Sequence, residues 1–185
     1  LMPAGNPRML EWLTPDDMKT VANLVAERAD YVLIDCPAGV EQGFKNAAAA
    51  CREAIVITTP EMSAVRDADR VIGLLNTQGI QPVQLVLNRV RPKMVANQEM
   101  LAVDDVTDIL ALPLLGLVVE DEQVIVSTNR GEPLTLNGTS SPAARAYMNV
   151  ARRLRGEGVP LIDPSKERRG LRARLMAKLR KSGNF

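Results

Sequence analysis

Asp35 closes the apolar run Tyr31-Val32-Leu33-Ile34 and is followed by Cys36-Pro37-Ala38-Gly39 and then Gly43. A carboxylate at the end of a buried strand, ahead of a Pro/Gly turn, can help hold a divalent cation, or it can simply start an Asx-type turn before Pro37. Three other expected strands end on polar groups: Ala54–Thr58 in Thr58-Thr59, Gln84–Arg89 in Asn88-Arg89, and Pro113–Val119 in Glu120-Asp121. If the four strands are parallel, these endings share one rim, where open α/β sheets bind ligands. One such ending is a turn, but four on one rim read as a ligand crevice.

The segments between these endings supply the helices that would hold them there. Thr14-Pro15-Asp16-Asp17 has the form of a helix start, with Thr14 as N-cap, Pro15 at the first helical position and two carboxylates at the positive helix end. Met18, Val21, Ala22, Val25 and Ala26 continue it at helical spacing to about Ala29. An alanine-rich helix is expected over Phe44 to Cys51. Another is launched by Pro60 and Glu61 and ended by Gly79, with Val65, Ala68, Ile72 and Leu75 as its apolar stripe. A short helix over Val103 to Leu110 begins with Asp104 and Asp105, a turn-rich loop fills Ser127 to Ser141, and a last helix runs from about Pro142 to Arg155. Strands alternating with helices specify an α/β fold with a mostly parallel sheet and helices on both faces.

Composition narrows the chemistry. The 185 residues contain no histidine, which removes Ser-His and Cys-His nucleophilic catalysis and imidazole metal sites. Only 3% are aromatic, too few for base-stacking surfaces. Cys36 and Cys51 do not form a Cys-x-x-Cys motif and fit a reducing compartment. Net charge is +1, yet residues 166–185 hold eight cations against Glu167 alone, +7, which leaves −6 for residues 1–165. Such a split marks a tail with a role of its own.

A hydrophobic run ending in Asp before a glycine-bearing turn is the Walker B arrangement of P-loop nucleotide hydrolases. Asp35 through Gly43, Thr59-Pro-Glu-Met-Ser-Ala-Val-Arg-Asp-Ala-Asp-Arg70, Asn88-Arg-Val-Arg-Pro92, Glu120-Asp121 and Ser127-Thr-Asn-Arg-Gly-Glu-Pro133 together resemble the septum-site-determining branch of the ParA/MinD family of deviant Walker A ATPases. The resemblance covers nearly the whole chain in order. It implies ATP and Mg2+ as cofactors, with Asp35 on the magnesium side through water and Pro37, Ala38 and Gly39 in the switch that distinguishes ATP from ADP. It further implies that Asn88, with Arg89, reads the adenine, and that Glu120 and Asp121 border base and ribose. Val119 stands where the family usually has proline. No Gly-x-x-x-x-Gly-Lys-Ser/Thr loop occurs in the chain. The family carries that loop upstream of the position of Leu1, so an N-terminal truncation and an inactive isolated chain are expected, for want of the amides and lysine that hold phosphates.

The resemblance also implies partners. Glu61, Ser63, Arg66, Asp67, Asp69 and Arg70 lie on or beside the helix that, in this branch, meets the division inhibitor MinC and the activator MinE; the residues alone read first as a solvated face of local ion pairs, and it is the resemblance that points to partners. A homodimer is implied, cytoplasmic and peripheral on the inner face of the membrane. After a body over 1–155 and a linker over 156–169, residues 170–185 place Leu171, Leu175 and Leu179 at i, i+4 and i+8 with Met176 beside them. Arg172, Arg174, Lys178 and Arg180 flank this stripe, the pattern of an interfacial helix on an anionic membrane, although Arg172 must snorkel. A solvated tail and a nucleic-acid-binding segment are the alternatives; DNA contact would not need the leucine stripe. Another ParA-like ATPase acting on DNA or in flagellar placement, or a non-catalytic adaptor, would share most of these features.

Overall fold

Thr14 caps the first helix in both directions: its hydroxyl accepts from the Asp17 N–H at 3.2 Å, and its own N–H donates to the Asp17 carboxylate at 2.9 Å. That capping box starts α1 (Pro15–Ala26), which packs against α2 (Gln42–Ala50). These elements come from a computed structural model that describes residues 13–137 and 141–161. The remaining elements, in order, are β1 (Ala54–Thr58), α3 (Met62–Thr77), β2 (Val83–Val90), α4 (Pro92–Ala96), α5 (Val103–Leu110), β3 (Leu114–Val119), α6 (Glu122–Arg130), a 3-10 turn (Leu134–Asn137) and α7 (Pro142–Leu154). They fall into two units, Leu1–Ala54 with Arg70–Val83, and Ile55–Asp69 with Gln84–Phe185.

In the second unit the strands form one sheet in the order β1-β2-β3, with β2 and β3 parallel. Val86 pairs with Gly116 and Leu87 with Leu117, but the next pair is Val90 with Val119. Three steps along β2 thus match two along β3, a bulge at Asn88-Arg89. Val86, Leu115, Val118 and Ala143 form a buried cluster covered by Val124, Leu134, Tyr147 and Val150, so α7 closes one face of β3. Its approach is close enough that a Cβ on Gly116 would overlap Val150 Cγ2. On α3, the stripe Val65, Ala68, Ile72 and Leu75 is buried as the spacing predicts, and Gly79 closes the helix at φ +72°.

Three local expectations are corrected. Tyr31 to Ile34 does not form a strand: no ladder reaches it among the described residues, and Leu33 is 81% exposed. A strand is defined by its pairing, so an apolar run without a partner remains irregular. The loop expected over Ser127 to Ser141 is in part helix, because α6 runs to Arg130 and closes on Gly131 in the left-handed region. The helix expected to begin at Pro60 begins at Met62; Pro60 is buried ahead of it, and its carbonyl accepts from the Leu101 N–H. The tail residues Leu171, Arg172, Arg174, Leu175, Met176, Lys178, Leu179 and Arg180 lie outside the described residues. Among the described residues no helix is long and apolar enough to cross a membrane.

Candidate functional site

In the first unit, Asp35, Pro37, Ala38 and Gly39 form an exposed irregular segment leading into α2. Gly39 has φ +91°, a conformation that glycine adopts without a Cβ penalty. The turn closes tightly: a Cβ on Gly43 would come 2.5 Å from Pro37 Cγ, so the start of α2 rests on the proline ring. Behind it, buried Asn46 accepts from the Gln42 side chain at 2.8 Å and donates to the Leu13 carbonyl at 2.8 Å. The helix carrying the turn is thereby fixed to the end of the segment before α1. Among the described residues no hydrogen bond or ion pair engages the Asp35 carboxylate. Desolvation, with the Asp35 charge second, pushes the neighbouring Cys36 thiol up, which keeps it protonated and a poor nucleophile.

In the second unit, Asn88, Arg89, Glu120 and Asp121 come together at the carboxyl ends of β2 and β3. Arg89 sits at φ +54°, uncommon for a residue with a Cβ, and its N–H donates to Asn88 Oδ1 at 2.9 Å. That side-chain bond supports the bulge and turns Arg89 toward Glu120, whose Oε1 it reaches at 3.1 Å. Arg91, which the sequence reading left out of the site, makes the stronger contact. Its guanidinium grips Glu120 in a fork, Nη2 to Oε1 at 2.9 Å and Nε to Oε2. The hydrogen bond to Arg91, before the other charges, holds the Glu120 carboxyl below its usual range. The available signal was the i, i+2 spacing of Arg89 and Arg91, which suits two cations on one side of a strand.

Asp121 serves as a structural joint. Its Oδ1 accepts from the Gln123 N–H at 3.0 Å and caps α6; its Oδ2 accepts from Ser141 Oγ at 2.6 Å and from the Ala143 N–H at 3.4 Å. Ser141 in turn caps α7 through the Ala144 N–H at 3.2 Å. Two helix starts thus converge on one carboxylate, and the Ser141 hydroxyl is the main cause of its lowered pKa. On α3 and just before it, Glu61, Ser63, Arg66, Asp67, Asp69 and Arg70 are all exposed, and among the described residues no ion pair ties them together.

A parallel α/β sheet with polar strand ends and helices starting beside them is the architecture of P-loop NTPases. The ParA family model, the NUBPL iron-transfer P-loop NTPase, matches residues 9–155, and the chain belongs to the ParA family. The septum site-determining protein MinD of Synechocystis sp. is 47% identical over 163 residues, 88% of this chain and 61% of that protein. The putative septum site-determining protein MinD of Guillardia theta is 50% identical over 175 residues, 95% of this chain and 65% of that protein. The chain therefore spans under two thirds of these relatives' length. Among solved structures, the MinD cell division protein of Aquifex aeolicus superposes with a TM-score of 0.76 at 37% identity, over 80% of this chain and 63% of that one. MinD of the Aquifex aeolicus MinC:MinD complex gives 0.75 at 36% over 80% and 62%, and MinD with Mg-ADP from Pyrococcus horikoshii gives 0.70 at 25% over 82% and 60%. The resemblance read from the motifs, and the α/β P-loop class, are borne out.

Proposed function

We propose that the chain belongs to a MinD-type ATPase that dimerises with ATP, binds the inner face of the cytoplasmic membrane through residues 170–185 and recruits MinC to place the division septum. The observation that carries this reading is the 47–50% identity to MinD proteins over 163 and 175 residues of this chain. The MinC:MinD neighbour supports MinC as partner, and the exposed, unpaired charges of α3 suit such a surface.

The residues present fit Mg2+ and ATP in part. Asp35 is an exposed carboxylate without a competing donor among the described residues, beside a turn whose Gly39 leaves its backbone open. That suits magnesium, which takes one or two carboxylates and completes its shell with water and phosphate oxygens. Bound ATP would supply the terminal phosphate charge that distinguishes the triphosphate from the diphosphate state, and Mg2+ would offset it. Asp35 would orient the ion's waters, and Pro37, Ala38 and Gly39 would respond to the terminal phosphate. Asn88 would present its amide to the base, and Arg89, Glu120 and Asp121 would keep the strand ends in place around base and ribose. Partner contacts are assigned to Glu61, Ser63, Arg66, Asp67, Asp69 and Arg70, with MinE competing for this face.

The test uses purified protein. The 185 residues alone are expected to show no Mg2+-dependent ATP turnover, whereas the same chain joined to the phosphate-loop segment of a relative hydrolyses ATP. Turnover by the chain alone refutes the division of labour. In the joined protein, Asp67→Lys is expected to weaken MinC capture at least tenfold with the circular dichroism spectrum unchanged. Equal capture removes α3 from the partner surface.

A further inference from the structure

The residues after α7 were expected to be linker, yet they are fastened to the sheet. Gly156 turns the chain at φ +80°, and the Glu157 N–H donates to the Arg152 carbonyl at 3.0 Å while its carboxylate pairs with Arg152 Nε at 2.7 Å. The returning chain then meets Arg153. The guanidinium of Arg153 donates to three backbone carbonyls: Nε to Val159 at 2.8 Å, Nη2 to Pro160 at 2.7 Å, and Nη1 to Leu115 at 2.9 Å. Two of these acceptors belong to the departing chain and the third to β3. Desolvation lowers the Arg153 pKa, with the Arg152 charge second. A rigid fork of five donors suits such a three-way joint, and a lysine ammonium on a flexible stem does not.

We infer that Arg153 is a positioning residue that fixes where the basic tail leaves the body, making residues 156–160 part of the body and starting the tether at Leu161. Leu115 lies near the amino end of β3, whereas Glu120 and Asp121 follow its carboxyl end, about 16 Å further along at strand rise. The chain therefore departs from the end of the sheet opposite the rim, and a body held to a surface by that tail is tethered at that end. This consequence rests on the proposed membrane role of residues 170–185; the fastening itself does not.

The test takes the full chain with Arg153→Gln and Arg153→Lys. Glutamyl endopeptidase cleavage after Glu157 reads the fastening. Arg153→Gln is expected to speed it at least tenfold and Arg153→Lys to fall between, with cleavage after Glu61 unchanged as a control on global folding. Equal cleavage after Glu157 in all three proteins overturns the fastening. If Arg153→Gln does not fold, Arg153→Lys alone decides by the same comparison. Neutron reflectometry on a supported bilayer containing phosphatidylglycerol reads the positioning: flexible-chain reach grows as the square root of length, so freeing five residues is expected to raise the body by about 4 Å. An unchanged height with faster cleavage overturns the positioning role. A wild-type chain that does not bind the bilayer refutes the membrane reading instead, and the cleavage result still judges the fastening.

Discussion

Around Glu120 and Asp121 all four carboxylate oxygens have donors, while Asp35 meets none among the described residues. The first region spends its charges on its own architecture: Arg89 and Arg91 across two strand ends, and two helix N-termini on one aspartate. The second is an exposed turn in which Pro37 lies close against Gly43. A charge engaged in the fold is held in place before any ligand arrives, and a charge without partners is left for one. Substitutions in the two regions should therefore differ in kind, the first costing stability and the second costing binding.

The largest effect tests how rigid the strand-end region is. Gly116→Val places a side chain where Val150 already sits, between β3 and α7. Overpacking of this kind costs about 3 kcal/mol, and urea unfolding should show it as a lower midpoint at constant slope. A smaller loss would mean that α7 can slide, and the region would be less fixed than its contacts imply. Next, Asp121→Ala removes the cap of α6 and the partner of the α7 start together. At about 1 kcal/mol per cap the loss is about 2 kcal/mol, again read by urea unfolding.

A pH titration sharpens the same contrast. The folded-state pKa values of Asp121 and Glu120 are lowered, by Ser141 and by Arg91 first. Near pH 4 the unfolded chain therefore binds more protons than the native one, so stability rises with pH there. Their contribution is complete above the unfolded values, from about pH 5, and is lost as pH falls through the lowered folded values. Because Glu120 is largely screened by solvent, most of the slope should come from Asp121. Asp121→Asn is expected to flatten the decline between about pH 5 and pH 3, measured as thermal midpoints; an equally steep decline would move its cause elsewhere.

What the sequence made legible follows the range of the forces involved. Capping is local, and Thr14 with Asp17 announces α1 within four residues. The α3 stripe was readable because burial imposes its period on one helix. Tyr31 to Ile34 has the residue types of a strand, but pairing is a property of two segments and no single one reveals it. The missed α6 is rich in Val, Ile, Ser, Thr and Asn, which are weak helix formers, and only its ends, Asp121 and Gly131, signal it. Arg91 and Arg153 were invisible as a fork and a fastener because their acceptors lie 29 and 38 residues away, on or beyond β3.

Asp35→Asn should have the smallest effect on stability and is the most demanding check of the comparison. An exposed carboxylate without a donor makes no native contact to lose, so the change in unfolding free energy should stay within about 0.5 kcal/mol. The asparagine is nearly isosteric and leaves the Pro37-to-Gly43 turn undisturbed. In the chain joined to a phosphate-loop segment, the same substitution should remove a charge from the magnesium shell and weaken Mg2+-dependent ATP retention at least tenfold, measured by filter binding with and without the ion. A stability loss above about 1 kcal/mol, on the scale of an ordinary hydrogen bond, would show that Asp35 is committed to the fold after all. The two regions would then differ only in degree.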